Sequence, residues 1–258
     1  MNPFEAWISF YTIVRKDLVR MVRIWPQTFL PAVVTSTLYF LIFGTVLGSR
    51  IGDFQGVAYV SFVVPGLIML QVITNAFSNV AFVMFSSKFF GRNIDELLVS
   101  PTPPWVIVAG FVAGGVARGV LVGVLVYVTA LFFADFSIHN AAVVVLFLVL
   151  TSITASLGGL LNGIHAKSID GINIIPTFVL APLVYLGGVF YSADLLPGFW
   201  QGLTHANPVF YVVDGFRWGF LGISDTPLWL SSGVLLGVTL ILGVWSWYEI
   251  KAGLRLKQ

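Results

Sequence analysis

Arg118 falls near the middle of an apolar stretch, residues 105–133. A lone charge at bilayer depth costs roughly 3 kcal/mol or more, so it must be paired or wet. Two roles stay open for it. It could line a route or hold an anionic group, or it could be a structural arginine bonded to helix carbonyls or a neighbouring aspartate. A second polar set lies in residues 57–85. There Gln71, Asn75 and Asn79 recur every four positions and share one helix face, which Thr74 and Ser78 widen. Amides facing lipid would go unsatisfied, so this stripe faces protein or water. Interhelical hydrogen bonding and a wetted pathway both satisfy that demand. A third set is polar and loop-borne. Residues 92–101 read as a short amphipathic helix that Asn93 can cap, with Glu96 three residues on as in a capping box and Pro101 closing it. Its apolar face, Ile94, Leu97 and Leu98, must find a partner, either the membrane surface or another protein.

Other chemistry is excluded by what is missing. The 258 residues contain no cysteine, hence no disulfide, thiolate metal site or Cys nucleophile. The three histidines, His139, His165 and His205, are scattered and do not form a zinc constellation. No G-x-x-x-x-G-K-[ST] occurs, so P-loop ATP hydrolysis is not expected of this chain. H-E-x-x-H and G-x-S-x-G are absent too, and no pair of embedded carboxylates stands out for a proton-driven carrier. No cofactor is expected in the chain itself, and a net charge of +2 gives no reason to expect a nucleic-acid partner.

The elements that must position these groups are membrane helices. Charged residues make up 9% of the chain against about 25% in soluble domains, and the mean hydropathy is +0.96. That much apolar surface needs lipid as its solvent. About six spans are expected, at residues 28–47, 57–85, 105–133, 141–163, 172–190 and 227–248. The second is long enough to need tilt or to project from the bilayer. Residues 1–25 read as an amphipathic helix in the membrane interface, not as a span or a cleavable signal peptide. Trp7, Phe10, Tyr11, Val14, Leu18, Met21, Val22 and Trp25 share one face, with Arg15, Lys16, Arg20 and Arg23 on or beside the other. Packing of that helix on the rest of the protein is the alternative. Residues 191–224 are too apolar for a solvated loop, yet Pro197 and Pro208 split them. Two short helices dipping in from the outer face, at 196–206 and 208–221, are expected there. Ten of the thirteen Lys and Arg residues (Arg15, Lys16, Arg20, Arg23, Lys88, Arg92, Lys167, Lys251, Arg255 and Lys257) then fall on one side, which places both termini in the cytoplasm. The chain divides into the interfacial helix, a transmembrane domain over 26–250 and a basic tail over 251–258. Gly110, Gly114, Gly115, Gly119 and Gly123 form small-xxx-small patterns, suited to packing within one subunit or to a dimer interface.

Three features together resemble the permease subunits of type-2 ABC transporters. One is the amphipathic N-terminal helix running through Trp25–Pro26 into the first span. Another is the stretch from Arg92 to Pro101, similar to the family's ATPase-docking helix, although Gly91–Arg92 stand where an acidic residue is frequent. The last is Gly187–Gly188–Val189–Phe190–Tyr191–Ser192, then Leu196–Pro197, then Asn207–Pro208–Val209–Phe210–Tyr211 with Asp214 and Arg217, similar to the family's outer re-entrant segment. The resemblance covers nearly the whole chain. It implies an exporter subunit of the bacterial inner membrane, paired with a second copy of itself and with two copies of a cytoplasmic ABC ATPase that binds ATP–Mg. It further implies that Arg92, Asn93, Ile94, Glu96, Leu97 and Leu98 couple to that ATPase. Pro197, Pro208, Asp214 and Arg217 would shape the outer segment, with Asp214 and Arg217 as an i, i+3 pair. Gln71, Asn75, Asn79, Arg118, Phe178 and Tyr185 are the candidates for lining a route, and a hydrophobic or amphipathic small molecule is the cargo expected. The rival readings are a carrier or channel working without an ATPase, a membrane enzyme acting on lipids, and an assembly factor.

Overall fold

A computed structural model describes residues 2–54, 56–90, 93–134 and 137–253. Arg92 of the expected coupling set lies outside them, as do Gly91, Asp135 and the tail residues Arg255 and Lys257. The architecture is all-helical apart from a two-residue antiparallel pair, β1 (Asp53–Phe54) with β2 (Val57–Ala58), in register Asp53 to Ala58.

The first helix, α1 (Pro3–Arg23), stops at Ile24, and α2 (Trp25–Leu41) starts at once with Pro26 in its first turn, where a missing N–H costs nothing. The run continues through a π-helical stretch, Ile42–Leu47, into the single turn α3 (Gly48–Ile51). Next come α4 (Tyr59–Phe89), α5 (Asn93–Val99), α6 (Pro104–Ala130) and α7 (Ala141–His165). A second π-helical stretch, Pro176–Leu180, joins α8 (Ile169–Ile175) to α9 (Ala181–Tyr185). After a 3-10 turn come α10 (Gly198–Ala206), α11 (Pro208–Leu221) and α12 (Leu228–Ala252).

Among the described residues, five helices are long and apolar enough to cross a bilayer: Trp25–Gly44, Tyr59–Phe89, Pro104–Ala130, Ala141–His165 and Leu228–Ala252. The segment expected as a further span is the shorter apolar run Ile169–Tyr185. The two helices expected before the last span are present as α10 and α11.

The bundle is built around α4, of which 83% is buried along its most apolar window against 11% for α12. At 1.5 Å per residue, its 31 residues extend about 46 Å, well beyond a hydrocarbon core of about 30 Å. It packs most extensively on α7 and α6, and α1 lies against α6. The glycines of α6 make this possible. A Cβ at Gly114 would collide with the Asp17 carboxylate, and one at Gly115 with Ser156 and Val80. At Gly119 a Cβ would stand 2.7 Å from the Ser152 hydroxyl, and at Gly123 2.8 Å from Leu148. The small-residue pattern is therefore filled by this chain's own α1, α4 and α7. Gly115→Val should lower stability in detergent by about 1–3 kcal/mol, read as a fall in the thermal unfolding midpoint. Gly237→Val, at a position with nothing within 4 Å, should leave the midpoint unchanged.

Candidate functional site

Asp17 is 8% exposed although it belongs to the charged half of an amphipathic helix. Its position explains the burial: Ile13, one turn earlier, packs on Gly110, and Asp17 packs on Gly114. One carboxylate oxygen accepts from Arg20 Nε at 3.1 Å and Nη2 at 2.7 Å. The other accepts from Asn79 Nδ2 at 2.9 Å. The Asn79 carbonyl oxygen in turn accepts from Arg20 Nη2 at 2.6 Å and from Arg118 Nη1 at 3.2 Å. Arg118 Nη2 donates to Asn75 Oδ1 at 3.3 Å, and Asn75 Nδ2 donates back to the Gln71 backbone carbonyl at 3.0 Å and to Gln71 Oε1 at 3.3 Å. A single network thus joins α1, α4 and α6. The structure keeps Gln71, Asn75 and Asn79 on one face, as their spacing suggested, and brings Arg118, Asp17 and Arg20 to it.

Phe178 and Tyr185 stand elsewhere. Phe178 is exposed on the second π-helical stretch. Tyr185 stacks on Phe190 at 6.2 Å, and Phe190 stacks on Phe43 at 4.8 Å while its carbonyl accepts from the Tyr59 hydroxyl at 3.0 Å.

The short helix α5 forms over the expected residues. Ile94 is completely buried, in a cluster with Val80, Met84, Ile107, Phe111, Ile164 and Ile250, and Leu97 packs against the same cluster. Of the apolar face expected to need the membrane surface or another protein, Ile94 and Leu97 pack on the chain's own core, and the Leu98 side chain lies outside those described. Among the described side chains of the helix, Asp95, Glu96 and Val99 are exposed. Beyond it, Ser100 Oγ donates to the Leu97 carbonyl at 2.7 Å, and Thr102 Oγ1 meets Ser9 Oγ of α1 at 3.4 Å.

The segment expected on the outer face carries a second polar cluster. Asn207 caps α11 by accepting from the Val209 N–H at 3.0 Å, and it donates to the Leu183 carbonyl of α9 at 2.5 Å. Pro197 precedes the first residue of α10, and Pro208 is the first residue of α11. Asp214 accepts from the N–H groups of Asp225 and Thr226 at 2.7 and 3.0 Å and from the Thr226 hydroxyl at 2.5 Å. Asp225 accepts from the Ser192 hydroxyl at 2.7 Å and from the Ala193 N–H at 2.9 Å. The expected Asp214–Arg217 pair does not form as an ion pair among the described residues. With Asp214 occupied by backbone donors, Arg217, 1% exposed, donates to the Gly188 carbonyl at 2.5 Å and lies 4.0 Å above the Phe62 ring. Gly188 has φ +72°, a conformation costly for any residue with a Cβ, and it turns that carbonyl inward. In α11, too short to cross a bilayer, burial pushes the Asp214 carboxyl above the usual carboxylate range. It does so against the pull of the Thr226 hydroxyl and the Asp225 N–H. Burial likewise pushes the Arg217 guanidinium down.

Residues 8–221 match the family model described as ABC-2 type transporter. The chain belongs to the ABC-2 type transporter family. It is 55% identical over 251 residues to the inner membrane transport permease YadH of Escherichia coli K12, a match that covers 96% of this chain and 98% of the relative. More distantly, it is 22% identical over 234 residues to nodulation protein J of Rhizobium meliloti, over 90% of this chain and 88% of that one. The ABC-2 chain described here is a multi-pass protein of the bacterial inner membrane and the permease component of an ABC transporter. The family associates with an ABC ATPase and is not itself the catalytic ATPase.

Sequence reasoning passed over Asp17, Ser192, Asp225 and Thr226. The signal for Asp17 was available: Ile13, Asp17 and Met21, four apart, put an acid on a face whose neighbours are apolar. Removing that acid leaves two guanidiniums facing each other with only amides between them. Asp17→Asn should therefore destabilise the protein by about 3 kcal/mol, the lower end for a broken buried pair because Arg20 is partly exposed. Adding Arg118→Met should recover part of the loss; strictly additive losses in thermal unfolding would mean that Arg118 and Asp17 are not coupled.

Proposed function

We propose that this permease works as a homodimer with two copies of a separate cytoplasmic ATPase, which carries the ATP–Mg, and that it exports its cargo. The observation that carries this reading is the construction of α5. Its inward face, through Ile94 and Leu97, is set in the core formed by the ends of α4, α6, α7 and α12, while Asp95, Glu96 and Val99 point outward. A rigid lever of this kind transmits a push from a soluble partner into the bundle. The expected coupling residues divide accordingly. Glu96 faces the ATPase, Ile94 and Leu97 fix the lever to the bundle, and Arg92, Asn93 and Leu98 complete the docking segment.

Six crossings follow if Ile169–Tyr185, with its one π-helical stretch Pro176–Leu180, spans in the dimer. Both termini are then cytoplasmic, with Arg15, Lys16, Arg20, Arg23, Lys88, Lys167 and Lys251 on the inner side. The segment from Ala193 through α11 dips in from the outer face, shaped by Pro197 and Pro208 and held by Asp214 and Arg217. Phe178 and Tyr185 face a route shared with the second copy, which suits a hydrophobic or amphipathic small molecule. Gln71, Asn75, Asn79 and Arg118, paired among themselves, stand behind that route as its brace; the partly exposed Asn75 and Arg118 are the members nearest to a cargo.

The test is co-purification from membranes with the ATPase encoded beside this chain, followed by ATP turnover of the complex. Glu96→Lys with Val99→Asp should abolish the stimulation of turnover by the permease and leave its thermal unfolding unchanged. Full stimulation by that double variant would remove α5 from the coupling route.

A further inference from the structure

Beside the buried network, α1 walls one side of a cleft of about 850 Å³, closed opposite by α4, α5 and α6. Arg15, Lys16, Arg20 and Arg23 line it from α1, with Asp17 and Glu96 as the carboxylates in the lining. Four cations against two anions leave a positive excess, and Asp17 is already engaged by Arg20 and Asn79. Among the described residues no carboxylate lies within 4.0 Å of Arg15, Lys16 or Arg23. The rest of the lining is mostly apolar, with Val19, Phe82, Val83 and Phe111 beside the hydroxyls of Thr12, Ser86 and Ser87. Phe82 is half exposed, and the Arg20 guanidinium lies 5.8 Å above its ring.

A small inorganic anion would use the cations and leave those walls wet. An amphiphile with an anionic head uses both. Val22, one helical turn beyond the lining residue Val19, and Trp25 at the α1–α2 corner are exposed apolar residues outside the cleft, as suits an acyl chain lying in the plane of the membrane.

We propose that this cleft binds the phosphate headgroup of an anionic phospholipid, with Arg15, Lys16 and Arg23 around the phosphate, Arg20 beneath it and an acyl chain along Val19 and Phe82. Guanidinium groups match phosphate oxygens in paired hydrogen bonds, and basic side chains at a membrane surface draw anionic lipid. Only the leaflet rests on the proposed orientation; the binding does not, and it requires neither an ATPase nor a known cargo. Because Arg20 also belongs to the Asp17 network and Leu97 of α5 lines the same cleft, the bound lipid joins α1 to α5.

The experiment is native mass spectrometry of the purified full chain in neutral detergent, titrated with phosphatidylglycerol or with phosphatidylcholine of the same chains. The wild type should retain phosphatidylglycerol at least about tenfold more tightly. The variant Arg15→Gln/Lys16→Gln/Arg23→Gln should lose that preference. Phe82→Gln should weaken retention with the charges intact. The charge-matched variant Arg50→Gln/Lys167→Gln/Lys251→Gln should keep the preference, and glycerol phosphate, which has no chain, should not compete. Equal retention of the two lipids, an unaltered preference in the first triple variant, or an equal loss in the charge-matched one would overturn the site. Displacement by glycerol phosphate would reassign it to a soluble anion and overturn the lipid proposal.

Discussion

Asp17 holds an amphipathic helix to a membrane bundle through one buried carboxylate, and the half of the fold nearest α1 is arranged around it. Without that anion, Arg20 and Arg118 would repel across the Asn79 side chain. With it, each guanidinium has a hydrogen-bonded place. The residue at 79 must offer both a donor, to the carboxylate, and an acceptor, to two arginines, and an amide carries the two on separate atoms of one planar group. A leucine of similar volume would take one partner from each, leaving Asp17 to Arg20 and Arg118 to Asn75, with a carboxylate oxygen and a guanidinium N–H unsatisfied in a buried site. Glycine at 114 is the complementary condition, because it lets α6 come close enough to make the acid reachable.

The opposite half is organised by another buried polar cluster, and α4 connects the two. Phe62, under the Arg217 guanidinium, and Asn79, within the inner network, lie on the same helix, about 26 Å apart by helical rise. Near the outer end, Arg217 holds the Gly188 carbonyl while Asp214 and Asp225 tie the α11–α12 loop to the Ser192 turn. A helix this thoroughly enclosed transmits displacement as a unit, since a packed interior has little room to deform locally. On the proposed reading, with an ATPase acting at α5, α4 is the element that would carry movement from α5 to the Ser192 turn.

Much of this was legible in the sequence, and the part that was not has physical reasons. Periodicity and hydropathy gave the long helices, and the proline positions gave α10 and α11 nearly to their ends, because a missing N–H is a local constraint. The four-residue spacing of Gln71, Asn75 and Asn79 fixed a shared face and could not say which neighbour met it; Arg118 on α6 and Arg20 on α1 supplied the answer. The i, i+3 spacing of Asp214 and Arg217 suggested a pair that the fold does not use, since backbone donors from a loop eleven residues away reach the carboxylate first. Ile94 and Leu97 looked like a docking face because a short segment shows its own apolar residues and not the cluster waiting to cover them. The π-helical turns at Ile42–Leu47 and Pro176–Leu180 left no signal in residue type strong enough to separate them from ordinary helix.

The central claim is that α1, α5 and the inner ends of α4 and α6 move as a single body. The chain contains no cysteine, so a disulfide between Ser9→Cys and Thr102→Cys, whose hydroxyls lie 3.4 Å apart, can be formed on a clean background. The measurement is ATP turnover coupled to transport by the assembled complex, before and after oxidation. Near-complete cross-linking with turnover unchanged is the result expected of a single body. Turnover that collapses on oxidation and returns on reduction would show that α1 slides against α5 during the cycle, and would contradict the account.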